Sequence, residues 1–162
     1  MSEADAISVR LADGSDSEAI AGLVTTLAAE LKEHSPITPA YVADYLGSPG
    51  AHALLAVRGQ TVLGMISFTF RPSLYHAADS CLVDELVVHP AERNCGLGTR
   101  LLQEAIQRAR AHRCAEVSLS VMISNQDALR FYQRHGFEDQ ALLLERHLHD
   151  ARIVPCKHSG VA

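Results

Sequence analysis

The sequence predicts a single α/β (α+β) domain in which a mixed, mostly antiparallel central sheet of six to seven strands carries helices on both faces. Three observations predict this fold. Short apolar runs typical of strands alternate with longer segments whose apolar residues recur at helical spacing. The order is strand, two helices, three strands, helix, strand, helix and strand, which favours a mixed sheet between helical layers. The length of 162 residues suits one domain.

The first strand and two helices are predicted from local patterns. Residues 7–11 alternate apolar and polar side chains, as a half-buried strand does. Ser15 and Glu18 form a capping-box pattern that opens the first helix. Thr38 followed by Pro39 predicts the start of the second helix, because proline is favoured at the first helical position.

A predicted hairpin follows these helices. Its strands are residues 51–57 and 61–70, joined by a tight turn at Gly59 and Gln60. Gly64 interrupts the second strand and predicts a β-bulge or a close approach of backbones.

The second half of the chain alternates strands with helices. The predicted segments are a strand ending at Val88, a helix after Gly98, a strand over residues 115–123, a helix capped by Asn125, and a strand over residues 141–148. The single domain over residues 1–162 then has its core at about residues 7–149 and a tail at 150–162.

Composition narrows the class of partner. The net charge is −5 and Lys and Arg form no run, which disfavours nucleic acid and mildly favours cationic small molecules. No apolar run approaches the length of a membrane span and no secretion signal opens the chain, so a cytoplasmic protein is expected. The 4 cysteines show no C-x-x-C pairing, and no metal site is predicted.

A strand that feeds a glycine loop and then a helix is the central motif. The strand ends at Val88, Pro90 forces a turn, and Gly96 and Gly98 precede the helix. The first N–H groups of a helix have no internal partner and lie at the positive end of its dipole, so the motif predicts a phosphate site. An ordinary connection with two turn glycines is the alternative.

The spacing of the loop distinguishes among phosphate ligands. No P-loop run is present, and Leu101 stands where the dinucleotide fingerprint needs its third glycine. The remaining pattern is Arg93-x-x-Gly96-x-Gly98, preceded by Leu86-Val87-Val88-His89-Pro90. It closely resembles the pyrophosphate-binding motif of the GNAT superfamily of N-acetyltransferases, which bind acetyl-coenzyme A.

A second segment strengthens the resemblance. Residues 125–137 contain an Asn, a Phe-Tyr pair on a helix and a following Gly-Phe, as in the second half of the superfamily's coenzyme A site. The resemblance implies that the fourth and fifth strands splay apart and that the cofactor's pantetheine arm lies between them. The cofactor-binding residues it implies are Leu86, Val87, Val88, Arg93, Asn94, Cys95, Gly96, Leu97, Gly98, Thr99, Asn125, Ala128, Phe131 and Tyr132.

The chemistry implied is direct attack of a primary amine on the acetyl thioester through a tetrahedral intermediate. Asp84 is the favoured base and Glu85 the second candidate, directly or through water, while Tyr132 matches the family's general acid. Strand neighbours point to opposite faces, so alternation places Asp84 on the face of Leu86, and only one carboxylate reaches the substrate unless a bulge intervenes.

The acceptor is expected to be a small primary amine, because no extended groove for a protein tail is indicated. The candidate substrate residues are Glu30, His34, Tyr41, Arg71, Tyr75 and His76. Parts of the chain resemble aminoalkylphosphonate, polyamine and aminoglycoside acetyltransferases, which leaves the amine open. The alternatives are a non-catalytic acyl-CoA-binding sensor and an enzyme acting on a protein N-terminus or lysine. Oligomeric state is also left open, a homodimer included.

Overall fold

A computed structural model describes residues 6–146 and confirms the mixed, mostly antiparallel sheet. The strands are β1 (Ile7–Leu11), β2 (Ala51–Arg58), β3 (Thr61–Ser73), β4 (Ala78–Val88) and β5 (Val117–Leu119). The helices are α1 (Ser17–Glu30), α2 (Pro39–Leu46), α3 (Leu97–Ala111) and α4 (Gln126–Gln133). The strands follow one another in chain order across the sheet; β1 to β4 are antiparallel, and β5 is parallel to β4.

Helices cover both faces of the sheet, as predicted, and each face has its own core. On one face, strand residues such as Leu54 and Phe68 pack against Leu101 of α3. On the other face, Leu55 and Met65 pack against α1 and α2. Successive strand residues enter opposite cores because side chains alternate along a strand. We call these the α3 face and the α1–α2 face.

The described part of the chain contains five strands, so the prediction of six to seven is wrong there. Residues 141–146 form no strand, and the side chains of Leu142, Leu143 and Leu144 are 77%, 60% and 82% exposed. Three successive leucines cannot all face one side of a sheet, and β5 has only 3 residues to offer as a partner. The rest of the predicted strand and the tail at 150–162 lie outside the described residues.

The start of α1 also differs from the sequence prediction. The capping box is made by Asp13 and Asp16 around a short 3-10 turn, rather than by Ser15 and Glu18. Asp16 is held there by Arg10, whose guanidinium lies 2.7 Å from the carboxylate. A carboxylate that accepts from both an arginine and a backbone N–H outcompetes the weaker hydroxyl cap.

The second helix and the bulge in β3 follow the predictions. The Thr38 side chain accepts from the N–H of Tyr41, and Pro39 is the first residue of α2. The register of β2 against β3 shifts beside Gly64. A Cβ atom added to Gly64 would lie 2.8 Å from the Val87 carbonyl oxygen, so glycine is required for this approach. Among residues 6–146, no helix combines the length and the apolar character needed to cross a membrane.

Candidate active site

The centre of the site is a β-bulge in β4. The register of β3 against β4 shifts between Ile66 and Phe68, so the single residue Ser67 lies opposite both Asp84 and Glu85. A bulge of this kind adds one residue to one strand and leaves two successive side chains opposite a single partner. Nothing in the local sequence marks its position, since no glycine interrupts either strand there.

The bulge places both carboxylates on the α1–α2 face. Val83 and Leu86 both pack on the α3 face although they are three residues apart, which is possible only because alternation is broken between them. Both intervening residues, Asp84 and Glu85, act electrostatically on Tyr45 of α2. Simple alternation had put Asp84 on the face of Leu86, and the bulge corrects that expectation.

Beyond the bulge, β4 has a free edge. β4 pairs with β5 only as far as Val83, yet β4 continues to Val88. The N–H of His89 donates to the Leu63 carbonyl oxygen of β3 at 2.8 Å. Because backbone groups alternate along an antiparallel strand, those of Leu86 and Val88 point away from β3, into the space between β4 and the chain after β5. We call this space the β4–β5 gap.

Val87 lies between these two residues and faces the other way. Its side chain is buried in the core of the α1–α2 face, and its backbone is turned toward its partner Met65 on β3. Val87 therefore contributes to the gap by anchoring the strand, while its two neighbours present the hydrogen-bonding groups.

The loop after β4 presents unpaired N–H groups at the end of the gap. Asn94 and Gly96 adopt left-handed conformations, with φ of 62° and 79°. The first intrahelical bond of α3 runs from the Arg100 N–H to the Gly96 carbonyl oxygen at 3.0 Å, so the N–H groups of Leu97–Thr99 have no partner within the helix. Free N–H donors at the positive end of a helix dipole are a favourable position for an anion.

The side chains of the loop are held from outside it. Arg93 Nε donates to the Val88 carbonyl oxygen at 3.0 Å, and Arg93 Nη2 lies 2.6 Å from a carboxylate oxygen of Glu30 on α1. Glu30, a candidate substrate residue, therefore supports the loop. Cys95 is exposed and its thiol lies 3.5 Å from the Arg93 carbonyl oxygen.

α4 packs against the beginning of α3 and brings the two sequence motifs together. A Cβ atom added to Gly98 would lie in ordinary van der Waals contact with the Phe131 ring, at 3.6 Å, so the two motifs pack directly against each other. His135 connects the same elements: Nδ1 lies 2.7 Å from the Phe131 carbonyl oxygen and Nε2 lies 3.1 Å from Thr99 Oγ1. Sequence analysis did not select His135, because the contact joins residues far apart in the chain.

The remaining residues of α4 are partly structural. Asn125 caps the helix, with Oδ1 accepting from the N–H of Ala128 at 3.1 Å. Tyr132 packs between Phe131 and Phe137 against the α3-face core, and burial raises its pKa to about 12. The phenol is therefore protonated at neutral pH.

The two carboxylates differ in their surroundings. The Asp84 side chain keeps access to solvent, but desolvation by the surrounding protein raises its pKa to about 6; the neighbouring Glu85 adds to the rise, and Arg71 opposes it. Glu85 is held by Ser67, whose hydroxyl donates to Glu85 Oε2 while accepting from the Glu85 N–H at 3.0 Å. A carboxylate with a raised pKa is a candidate general base. Ser67 was missed because a lone serine in an apolar strand carries no sequence signal.

The other candidate substrate residues do not form one cluster. Arg71 lies on β3 near Asp84, with its Nε 3.4 Å from Ser80 Oγ. Tyr75 and His76 lie in the β3–β4 turn, at the opposite end of β4 from Val88; Tyr75 is 93% exposed and His76 pairs with Glu116 at 3.2 Å. His34 and Tyr41, in the α1–α2 connection and on α2, are exposed.

Known proteins share both the sequence motifs and this fold. The sequence profile of the Acetyltransferase (GNAT) family matches residues 21–137. Aminoalkylphosphonate N-acetyltransferase of Salmonella typhimurium is 32% identical over 130 residues, covering 80% of this chain and 84% of that protein.

Solved structures agree on the fold. A transcriptional regulator from Bacillus halodurans C-125 superposes with a TM-score of 0.78 at 26% identity, covering 88% of this chain and 99% of the other. An aminoglycoside acetyltransferase from an uncultured soil metagenomic sample gives a TM-score of 0.78 at 16% identity, covering 88% and 97%, which shows the fold alone.

The family profile spans both motifs that the structure brings together, the glycine loop with its helix and the segment carried by α4. The chain therefore belongs to the GNAT family and is an N-acetyltransferase.

Proposed function

We propose that the protein transfers the acetyl group of acetyl-CoA to a small primary amine by direct attack. The β4 bulge carries this proposal, because it places a carboxylate pair on the strand whose free edge leads into the anion-binding loop. Few other arrangements would bring an anionic cofactor and a cationic acceptor to the same strand.

The residues present fit the cofactor. The unpaired N–H groups at the start of α3 would hold the pyrophosphate, and the backbone of Leu86 and Val88 would hold the pantetheine arm in the β4–β5 gap. The Asn125 side-chain NH₂ is a further donor, since its oxygen caps α4. Acetyl-CoA, when bound, supplies the thioester carbonyl that the amine attacks.

The chain's own groups then move protons and stabilise charge. Asp84 takes a proton from the acceptor's ammonium group, leaving a neutral amine. The Leu86 N–H, turned into the gap, donates to the carbonyl oxygen as negative charge develops there. Tyr132 donates a hydrogen bond to the departing sulfur; its pKa exceeds that of a thiol, about 8.5, so a strengthening hydrogen bond suffices.

Arg71 indicates an acid group on the acceptor. It lies on the α1–α2 face, opposite its neighbour Phe70, and near Asp84, so a zwitterion could place its ammonium at Asp84 and its anion at Arg71. The relative from Salmonella typhimurium is named for aminoalkylphosphonates, which have this charge pattern. We therefore propose a primary amine that carries a phosphonate or carboxylate.

An acceptor screen tests this proposal. Thiol release from acetyl-CoA is measured with 2-aminoethylphosphonate, ethylamine, amino acids and N-terminal peptides. We expect kcat/KM for 2-aminoethylphosphonate to exceed that for ethylamine by about 10-fold or more, because a charge-assisted contact contributes about 1.5 to 3 kcal/mol. Arg71→Gln should remove this preference, whereas Arg110→Gln, on exposed α3 surface, should leave it unchanged. Turnover confined to peptides would overturn the small-molecule acceptor.

The pH dependence of kcat/KM for the amine tests Asp84 as the base. The ionised form of Asp84 accumulates as pH rises through about 6, so we expect the rate to fall below that pH. Asp84→Asn should lower kcat/KM about 100-fold or more, and the fall in rate at low pH should disappear. Glu85→Gln should move the fall in kcat/KM to lower pH, since the Glu85 carboxylate helps to raise the pKa of Asp84. If the fall in kcat/KM at low pH stayed the same in Asp84→Asn, ionisation of Asp84 could not be its cause.

Two substitutions at Gly96 test the anion site. Nothing lies within 4 Å of a Cβ atom at Gly96, so a side chain there would project into open space beside the loop. Asparagine and aspartate have the same shape and both tolerate a left-handed φ, so they differ in charge alone. We expect Gly96→Asp to weaken acetyl-CoA binding about 10-fold more than Gly96→Asn does, by calorimetry. Equal affinities in the two variants would place the phosphates elsewhere.

A further inference from the structure

Tyr45 of α2 has a buried hydroxyl that has no hydrogen-bond partner of normal geometry among residues 6–146. Buried hydroxyls in folded proteins nearly always have a partner, and an unmet one lowers stability. A phenylalanine at this position would avoid that cost. The hydroxyl therefore indicates a function other than stabilising the ligand-free protein.

The surroundings of the hydroxyl show what it could bind. Burial, and then the carboxylates of Asp84 and Glu85, raise the pKa of Tyr45 well above its usual value, so the phenol stays neutral. Ser67 acts on the Tyr45 phenol as a hydrogen-bonding neighbour and lowers its pKa, but the Ser67 hydroxyl hydrogen is donated to Glu85, so Ser67 can only accept from Tyr45. The Tyr45 oxygen lies across from the two carboxylates. Its lone pairs therefore remain available to a donor placed between Tyr45 and the acidic pair.

We propose that Tyr45 is a specificity-determining residue that joins Asp84 and Glu85 to present three oxygens to the three N–H bonds of a primary ammonium. This inference rests on the proposed function and deepens it. An –NH₃⁺ group has three donors and no acceptor, which complements three oxygens from α2 and β4. A secondary ammonium would leave one of those oxygens without a donor.

The arrangement divides the work between the two carboxylates. Glu85, fixed by Ser67, holds the cation, and Asp84 takes one of its protons. Asp84 then becomes a neutral carboxylic acid, while the nitrogen keeps two hydrogens and gains the lone pair that attacks the thioester. The remaining N–H bonds can stay directed at Glu85 and Tyr45, which keeps the neutral amine bound in the site.

The test compares Tyr45→Phe with Ser48→Ala, which removes an exposed hydroxyl just after the end of the same helix. Thermal unfolding is followed with CoA present, with and without 2-aminoethylphosphonate. We expect Tyr45→Phe to raise the midpoint of the amine-free protein by a few degrees, because a poorly satisfied buried hydroxyl is removed. Tyr45→Phe should lose the amine-induced shift in the midpoint, while Ser48→Ala keeps it.

Kinetics supply the second readout. In Tyr45→Phe we expect KM for the amine to rise about 10-fold and the preference for a primary amine over its N-methyl analogue to narrow, with acetyl-CoA affinity by calorimetry unchanged. That affinity also verifies that the variant is folded.

The outcomes separate this inference from the proposed function. An amine-induced shift that survives in Tyr45→Phe, or that is absent from the wild-type protein, would overturn the role of Tyr45. Equal acetylation by wild type and Tyr45→Phe would also overturn it and leave the transferase function standing. If the wild-type protein binds the amine through Tyr45 but acetylates none, the ammonium site stands and the proposed acceptor reaction fails.

Discussion

A single additional residue in β4, opposite Ser67, changes both what the strand's side chains face and what its backbone can bond. Before the bulge, the outward backbone groups of β4 pair with the chain leading into β5, as in the bond from the Cys81 N–H to the Glu116 carbonyl oxygen. After it, the outward groups belong to Leu86 and Val88, which have no strand beside them within residues 6–146. The bulge therefore determines which backbone groups lie at the free edge and brings the two carboxylates together.

The carboxylate pair and the glycine loop, which would bind opposite charges, lie on different sides of the sheet but on the same strand. The anion-binding loop follows β4 and opens α3, whereas Asp84 and Glu85 face α2 on the other side of the sheet. In the proposed reaction, an anionic cofactor and a cationic acceptor would approach from different sides and come together at the β4–β5 gap. Keeping the two charges apart until then would preserve the attraction of each proposed site for its own ligand.

Packing between helices holds the loop in shape. Arg93 ties the loop to α1 through Glu30 and to β4 through the Val88 carbonyl oxygen. On the other side, His135 bonds Thr99 and accordingly fixes the start of α3 against α4. The loop is thus supported by elements that also line the two cores, which favours a preformed cofactor site.

Local patterns were enough to predict much of this fold. The glycine loop, the cap at Asn125 and the bulge at Gly64 were predicted because each depends on residues close in sequence. Other features depend on strand register and on contacts between distant elements, which no local pattern encodes. They are the β4 bulge, the Ser67–Glu85 hydrogen bond and the ion pair between Arg93 and Glu30. Over residues 141–146 the predicted strand is absent for a related reason, because a strand needs a partner as well as apolar residues.

Amide hydrogen exchange at three successive residues of β4 tests the central claim most directly. The account predicts that the Val87 amide, turned toward β3, is protected in both the free and the acetyl-CoA-bound protein. The amides of Leu86 and Val88 should exchange rapidly in the free protein and become protected when acetyl-CoA binds. Protection of Leu86 and Val88 in the free protein, or no change at either on adding acetyl-CoA, would contradict a free β4 edge that receives the cofactor.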